Sequence, residues 1–153
     1  MPLPSHANDR TPDRVKKRPS WLVGRAHATS LGLLVSAFEA SGTGLRPFHY
    51  RILSALEQWG AESQAALGRD TGIDPSDMTA ALVELEAREF VTRRVDPAHK
   101  RRNIVTITAS GERMLRELDH VIEGVQLTLL APLDADEQRQ FTELLTRILT
   151  REK

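Results

Sequence analysis

The residues grouped closely enough to act together in this 153-residue chain are cations and short polar side chains, not the members of a catalytic set. Arg88, Arg93, Arg94, Lys100, Arg101 and Arg102 face only Glu89 and Asp96 within residues 88–102. A field of this kind attracts a polyanion even when the whole chain is neutral, as it is here with 21 cations and 21 carboxylates. A second basic run, Arg10, Arg14, Lys16, Lys17 and Arg18, faces Asp9 and Asp13 at the N-terminus. Just before the first run lies a set of small polar residues, Ser76, Asp77, Thr79 and Ala80, at helical spacing.

Covalent chemistry finds little support. With no Cys, disulfides, zinc thiolates and thiol redox sensing are excluded. His6, His27, His49, His99 and His120 are scattered without metal-ligand spacing. No nucleophile–base pair, glycine-rich phosphate loop or carboxylate pair stands out, so no enzyme, metal or cofactor is expected. No apolar run approaches the roughly 18 residues of a membrane span, and no signal-peptide core is present. These features predict a soluble cytoplasmic protein.

The elements that would position the cations can be read from spacing. Residues 1–19, broken by Pro2, Pro4, Pro12 and Pro19, predict a flexible tail. Ser20 could N-cap a helix carrying Val23, His27, Leu31, Leu34, Val35 and Phe38, ended by Ser41-Gly42-Thr43-Gly44. A second helix starts near Pro47, with Phe48, Ile52, Leu53 and Leu56 on one side and Gly60 after it. Glu62 to Asp70 reads as a short helix, followed by the tight turn Thr71-Gly72-Ile73. Asp74 then caps a helix with Pro75 at its first position, Asp77 at the capping-box position, and Met78, Ala81, Leu82 and Leu85 inward.

Two strand-like runs follow, Phe90 to Val95 and Asn103 to Thr108, joined by the basic tip 96–102. Thr108 or Ser110 would cap a long helix with Met114, Leu118, Val121, Ile122, Val125 and Leu129, stopped by Pro132. Asp134 and Glu137 form a capping box for a last helix with Phe141, Leu144, Leu145, Ile148 and Leu149. The expected class is mostly α with a small β-wing, a single domain over 20–153. Residues 20–42 and 110–151 would be outer helices around a winged lobe at 46–108.

Helix, glycine-containing turn, helix and basic hairpin is the layout of a winged helix-turn-helix. One α-helix fits the DNA major groove, and short outward side chains permit close approach. The hairpin cations would sit where phosphates and the narrow minor groove attract them. The predicted DNA-binding residues are Ser63, Gln64, Pro75, Ser76, Asp77, Thr79, Ala80, Arg93, Lys100, Arg101 and Arg102. A protein-interaction module on the same scaffold, with little DNA affinity, is the alternative.

Residues 45–115 resemble the MarR family of bacterial regulators. The resemblance is carried by Ser63-Gln64-Ala65-Ala66-Leu67-Gly68-Arg69, by Gly72-Ile73-Asp74-Pro75-Ser76, and by Leu82, Val83, Leu85, Glu86, Ala87 and Arg88. Val91, Arg93, Asp96-Pro97, Arg101 and Ile107-Thr108-Ala109-Ser110-Gly111 complete it. It implies a homodimeric transcriptional regulator, a repressor in the expected case, held by the outer helices. Two reading helices would enter successive major grooves of palindromic double-stranded DNA, with a wing Arg, best Arg101, in the minor groove. Glu89 stands where the family places Gly at the end of the reading helix, which implies a strained backbone there. The resemblance also implies release by a small aromatic or phenolic ligand, with Trp21, His27, Phe48, His49 and Tyr50 as candidate contacts.

Overall fold

The computed structural model describes residues 10–150 and divides the chain into two compact units. One comprises the stretch up to Leu33 and the stretch from Glu123 onward; the other is the lobe Leu34–Ile122. The described elements run α1 (Asp13–Lys16), α2 (Pro19–Ala40), α3 (Pro47–Trp59), β1 (Glu62–Ser63), α4 (Gln64–Thr71), α5 (Pro75–Ala87), β2 (Val91–Val95), β3 (Asn103–Ile107), α6 (Ala109–Leu130) and α7 (Ala135–Leu149). The mostly helical winged architecture expected from the sequence is the one present.

In the lobe, α3 starts at Pro47, whose missing N–H costs a first-turn position nothing. It buries His49, Ile52, Leu53 and Leu56, one face at three- and four-residue spacing. The core continues through Leu67 of α4, Met78, Ala81, Leu82 and Leu85 of α5, and Val91 and Val105 of the sheet. Asp74 caps α5 by accepting from the Ser76 N–H at 2.8 Å, and Asp77 adds no reciprocal bond. The Asp77 half of the expected capping box is therefore missing: its side chain is too short to reach back as Glu would.

The sheet differs from the expected two-stranded hairpin. Its order is β1-β3-β2, all antiparallel, with Glu62↔Val105 and Ser63↔Ile104 on one edge and Val91↔Ile107 through Val95↔Asn103 on the other. Glu62 and Ser63, predicted as helix, instead pair with the outer edge of β3, whose N–H and C=O groups would otherwise be bare. The helix thus begins only at Gln64, with the Ser63 hydroxyl accepting from the Ala66 N–H at 3.2 Å.

At the end of α5 the chain turns through Glu89 at φ 59°, the only non-glycine positive φ among the described residues. Thr108 then locks the exit from the sheet. Its hydroxyl donates to the Glu89 carbonyl at 2.6 Å and accepts from the Gly111 N–H at 3.0 Å. A Cβ on Gly111 would stand 2.1 Å from the Phe90 carbonyl oxygen, so this close crossing admits only glycine.

In the terminal unit, α2 begins at Pro19, with the Arg18 carbonyl accepting from the Leu22 N–H at 3.0 Å. Ser20, expected as the cap, thus lies inside the first turn, because Pro19 takes the first position. Asp13–Lys16 form one helical turn within the stretch predicted as a tail, tied by a 2.5 Å Lys16–Asp13 ion pair. Residues 1–9 of that tail lie outside the described residues. The Asp134–Glu137 capping box of α7 is fully formed. Yet α7 buries none of its residues within the chain; Leu149 is 82% exposed, and Leu127 on α6 is 76% exposed.

Candidate nucleic-acid interface

The short polar face of α5 is built by its capping and its period. With Met78, Ala81, Leu82 and Leu85 committed to the core, Ser76, Asp77, Thr79, Ala80 and Val83 remain exposed. Thr79 joins this face to α4. Its hydroxyl donates to the Pro75 carbonyl at 2.9 Å and accepts from Gln64 Nε2 at 3.0 Å. Asp74 is held below the usual carboxylate range, first by the Ser76 hydroxyl at 2.6 Å and then by the Ser76 N–H. It stays ionised at the helix N-terminus, where the macrodipole favours a negative charge.

The wing tip is folded by Asp96. Its carboxylate accepts from the Ala98 N–H at 2.9 Å, and its N–H donates to the Arg102 carbonyl at 2.7 Å. The Arg102 N–H donates to the His99 carbonyl at 2.8 Å. Lys100, Arg101 and Arg102 are thereby held outward, exposed, and joined to no carboxylate by an ion pair among the described residues. Between α4, α5 and the wing root lies a concave cleft of about 620 Å³ that Gln64, Pro75, Thr79, Arg101 and Arg102 share. Residues separated by up to 38 positions thus meet at one surface.

Ser63, Arg93 and Gln64, also predicted site residues, are held by partners within the lobe. Ser63 is only 3% exposed and its hydroxyl is spent on the α4 cap. Arg93 points back to α5, where Glu86 accepts from its guanidinium at 3.0 Å and from its backbone N–H at 3.1 Å. That pairing, with the Arg93 side-chain bond as its largest cause, holds the Glu86 carboxyl below its ordinary range. Gln64 is half-buried against Thr79. In the sequence Glu86 is one of the residues that carry the family resemblance, with nothing there to indicate Arg93 as its partner.

The candidate ligand contacts are divided between the units. Trp21, with the Arg25 guanidinium 5.7 Å from its ring centroid, and the exposed His27 are on α2 in the terminal unit. Phe48, His49 and Tyr50 open α3 in the lobe. Phe48 and His49 pack ring to ring at 4.5 Å between centroids, and the Arg46 guanidinium lies 5.4 Å from the Phe48 centroid. The Tyr50 hydroxyl donates to Asp119 at 2.9 Å, and burial, followed by that bond, raises its pKa.

His49 is fully buried. Its Nδ1 accepts from the Arg46 N–H at 2.9 Å, and its Nε2 stands 3.1 Å from a Glu84 carboxylate oxygen. Among the described residues, no cluster of His, Asp and Glu is arranged to hold a metal, and no helix is long and apolar enough to cross a membrane.

Comparison with known proteins agrees with this geometry. Residues 45–102 match the model of the MarR family. The transcriptional repressor NicR of Pseudomonas putida is 26% identical over 141 residues, spanning 92% of this chain and 88% of that protein. The PcaV transcriptional regulator of Streptomyces coelicolor, solved with its natural ligand, superposes with a TM-score of 0.68 at 27% identity, covering 87% of this chain and 92% of that one. A mutant MarR from E. coli, solved with operator DNA, shares the fold at a TM-score of 0.70 and 19% identity, over 85% of this chain and 92% of that one. NicR is thus a transcriptional repressor and PcaV a transcriptional regulator.

Proposed function

We propose that this chain, whose residues 45–102 match the model of the MarR family, is a homodimeric repressor that reads a palindromic operator. The observation that carries the reading is the shared cleft, where the short polar face of α5 and the outward wing cations Arg101 and Arg102 border one concave surface. In this reading α5 enters the major groove with Ser76, Thr79 and Ala80 foremost. Lys100, Arg101 and Arg102 engage phosphates and the minor groove. Pro75, Ser76 and Asp77 bring the start of the helix toward a phosphate, and Ser63 and Gln64 support the α4 terminus beside it. Arg93 serves by holding the wing to α5 through Glu86.

Dimerisation is supported by the bare apolar residues of the terminal unit. Leu22, Val23, Leu31, Leu127, Leu144, Ile148 and Leu149 are all exposed in the single chain, more apolar surface than a solitary helix end ordinarily shows water. The same unit carries Trp21 and His27. In the lobe, Phe48 and Tyr50, with His49 buried behind the Phe48 ring, are the proposed contacts of a small aromatic or phenolic ligand that releases the DNA. NicR is a repressor and PcaV has a natural ligand, and both support this reading. The proposed setting is the cytoplasm.

The test is fluorescence anisotropy on the DNA upstream of its own gene, over a salt series. Salt-sensitive binding there, stronger than to a scrambled duplex and relieved by one of a panel of benzoates and phenols, is the expected outcome. Asp77 on the exposed face of α5 favours the second reading, a protein-interaction module. Absence of binding to any duplex at low salt would decide for it.

A further inference from the structure

The C-terminal end of α5 is tied to residues 43–49 by two side chains that are not among the candidate DNA-binding residues. Glu84 on α5 reaches His49 at 3.1 Å and Arg46 at 3.8 Å. One turn later, Arg88 donates to the Thr43 carbonyl at 2.5 Å and lays its guanidinium over Phe90 at 4.9 Å. Both contacts converge on the stretch 43–49.

His49 is the rigid part of this arrangement. Its Nδ1 lone pair accepts from the Arg46 N–H, so the neutral ring carries its proton on Nε2, the atom that faces Glu84. One fully buried side chain therefore fixes the first turn of α3 through Nδ1 and sets Nε2, which makes no hydrogen bond of good geometry, in electrostatic contact with the carboxylate of α5. A protonated ring could not serve both ends, because Nδ1–H would confront the Arg46 N–H. Three charged groups face the imidazole, Glu84 and Arg88 from α5 and Arg46 from the cap of α3. Burial, the largest influence, and the two guanidiniums oppose its protonation, and Glu84 favours it.

We propose that His49 is a positioning residue for DNA reading, which seats α5 through Glu84 so that Ser76, Thr79 and Ala80 meet the bases in register. The proposal rests on the DNA-binding reading above. It assigns Glu84 a task opposite to the one its place on α5 suggests: the carboxylate is turned back into the lobe and does not read bases. Seating affects specific contacts, which need register, far more than phosphate contacts, which tolerate displacement. The ratio of specific to nonspecific affinity is therefore the property that His49 controls.

The experiment uses the full chain and the duplex that the wild-type protein enriches from a randomised pool, against a scrambled duplex of equal length. His49→Asn keeps an acceptor where Nδ1 stands but cannot reach Glu84. Glu84→Ala removes the partner at a position whose side chain is 45% exposed, where truncation leaves the core intact. Each is expected to lower the affinity ratio about tenfold, the effect of roughly one mismatched base pair. The double variant should fall no further than either single one, because both break one contact.

An unchanged ratio in Glu84→Ala, or losses that multiply in the double variant, overturns the proposal with DNA binding itself intact. If His49→Asn does not fold, the Glu84→Ala ratio decides alone. A wild-type protein that enriches no duplex overturns the DNA reading and this inference together.

Discussion

Arg101 and Arg93 belong to one basic run, in which the sequence already favours Arg101 for the minor groove, and the structure shows what Arg93 does instead. Arg101 stands outward on a tip folded by Asp96, and Arg93 is braced by Glu86. Arg101→Ala should weaken binding across all duplexes and reduce the slope of log affinity against log salt by about one. An anisotropy salt series measures this; an unaltered slope would remove the wing from the interface.

At the same scale, His49 makes a stability prediction independent of DNA. Its pKa in the folded protein is lowered from 6.5, chiefly by burial. Below pH 6.5 the unfolded chain therefore binds a proton that the folded chain refuses, so the contribution of the neutral ring is complete above that pH and is lost as pH falls beneath it. Thermal melts at pH 7.5 and 5 should show a larger loss for the wild type than for His49→Asn. Equal losses would show that the ring does not titrate as described.

At the scale of elements, the turn from α5 into the sheet is where the chain tolerates least change. Glu89 holds φ 59°, which costs a side-chain-bearing residue on the order of 1 kcal/mol. Glu89→Gly should raise the melting temperature by a few degrees, since the carbonyl that accepts from Thr108 is backbone and survives the change. Gly111→Ala should do the reverse. Its Cβ would meet the Phe90 carbonyl, and displacing packed backbone should cost about 1–3 kcal/mol. Calorimetry on the two variants checks both signs.

For the whole molecule, α7 has a complete capping box and an apolar stripe but no buried residue. A helix of that kind gains little from its own chain and is expected to gain its packing from a second copy. Replacing Leu144 and Ile148 by Asp should convert the proposed dimer to a monomer and abolish binding to a palindrome by removing the second reading helix. Analytical ultracentrifugation reads the first effect and anisotropy the second. A wild-type protein that sediments as a monomer at micromolar concentration would refute the dimeric assembly.

The sequence by itself determined what depends on neighbours within a few positions. The caps at Asp74 and Asp134, the Pro starts at 47 and 75, the buried stripes of α3 and α5 and the basic tip at 96–102 all follow from periods of 3.6 and 2 and from local hydrogen bonding, which left the cap of α6 open between Thr108 and Ser110. Only the tertiary structure decided what depends on partners far along the chain. β1 exists because β3 has an edge to cover, a demand that Glu62 and Ser63 do not announce. Ser63 is spent on a cap, Arg93 on Glu86 and Glu84 on His49, 35 positions away. A side chain's charge is written in the sequence. Whether that charge faces DNA or the protein is settled by which other element comes within about 3 Å of it, and contacts between distant residues leave no periodic trace.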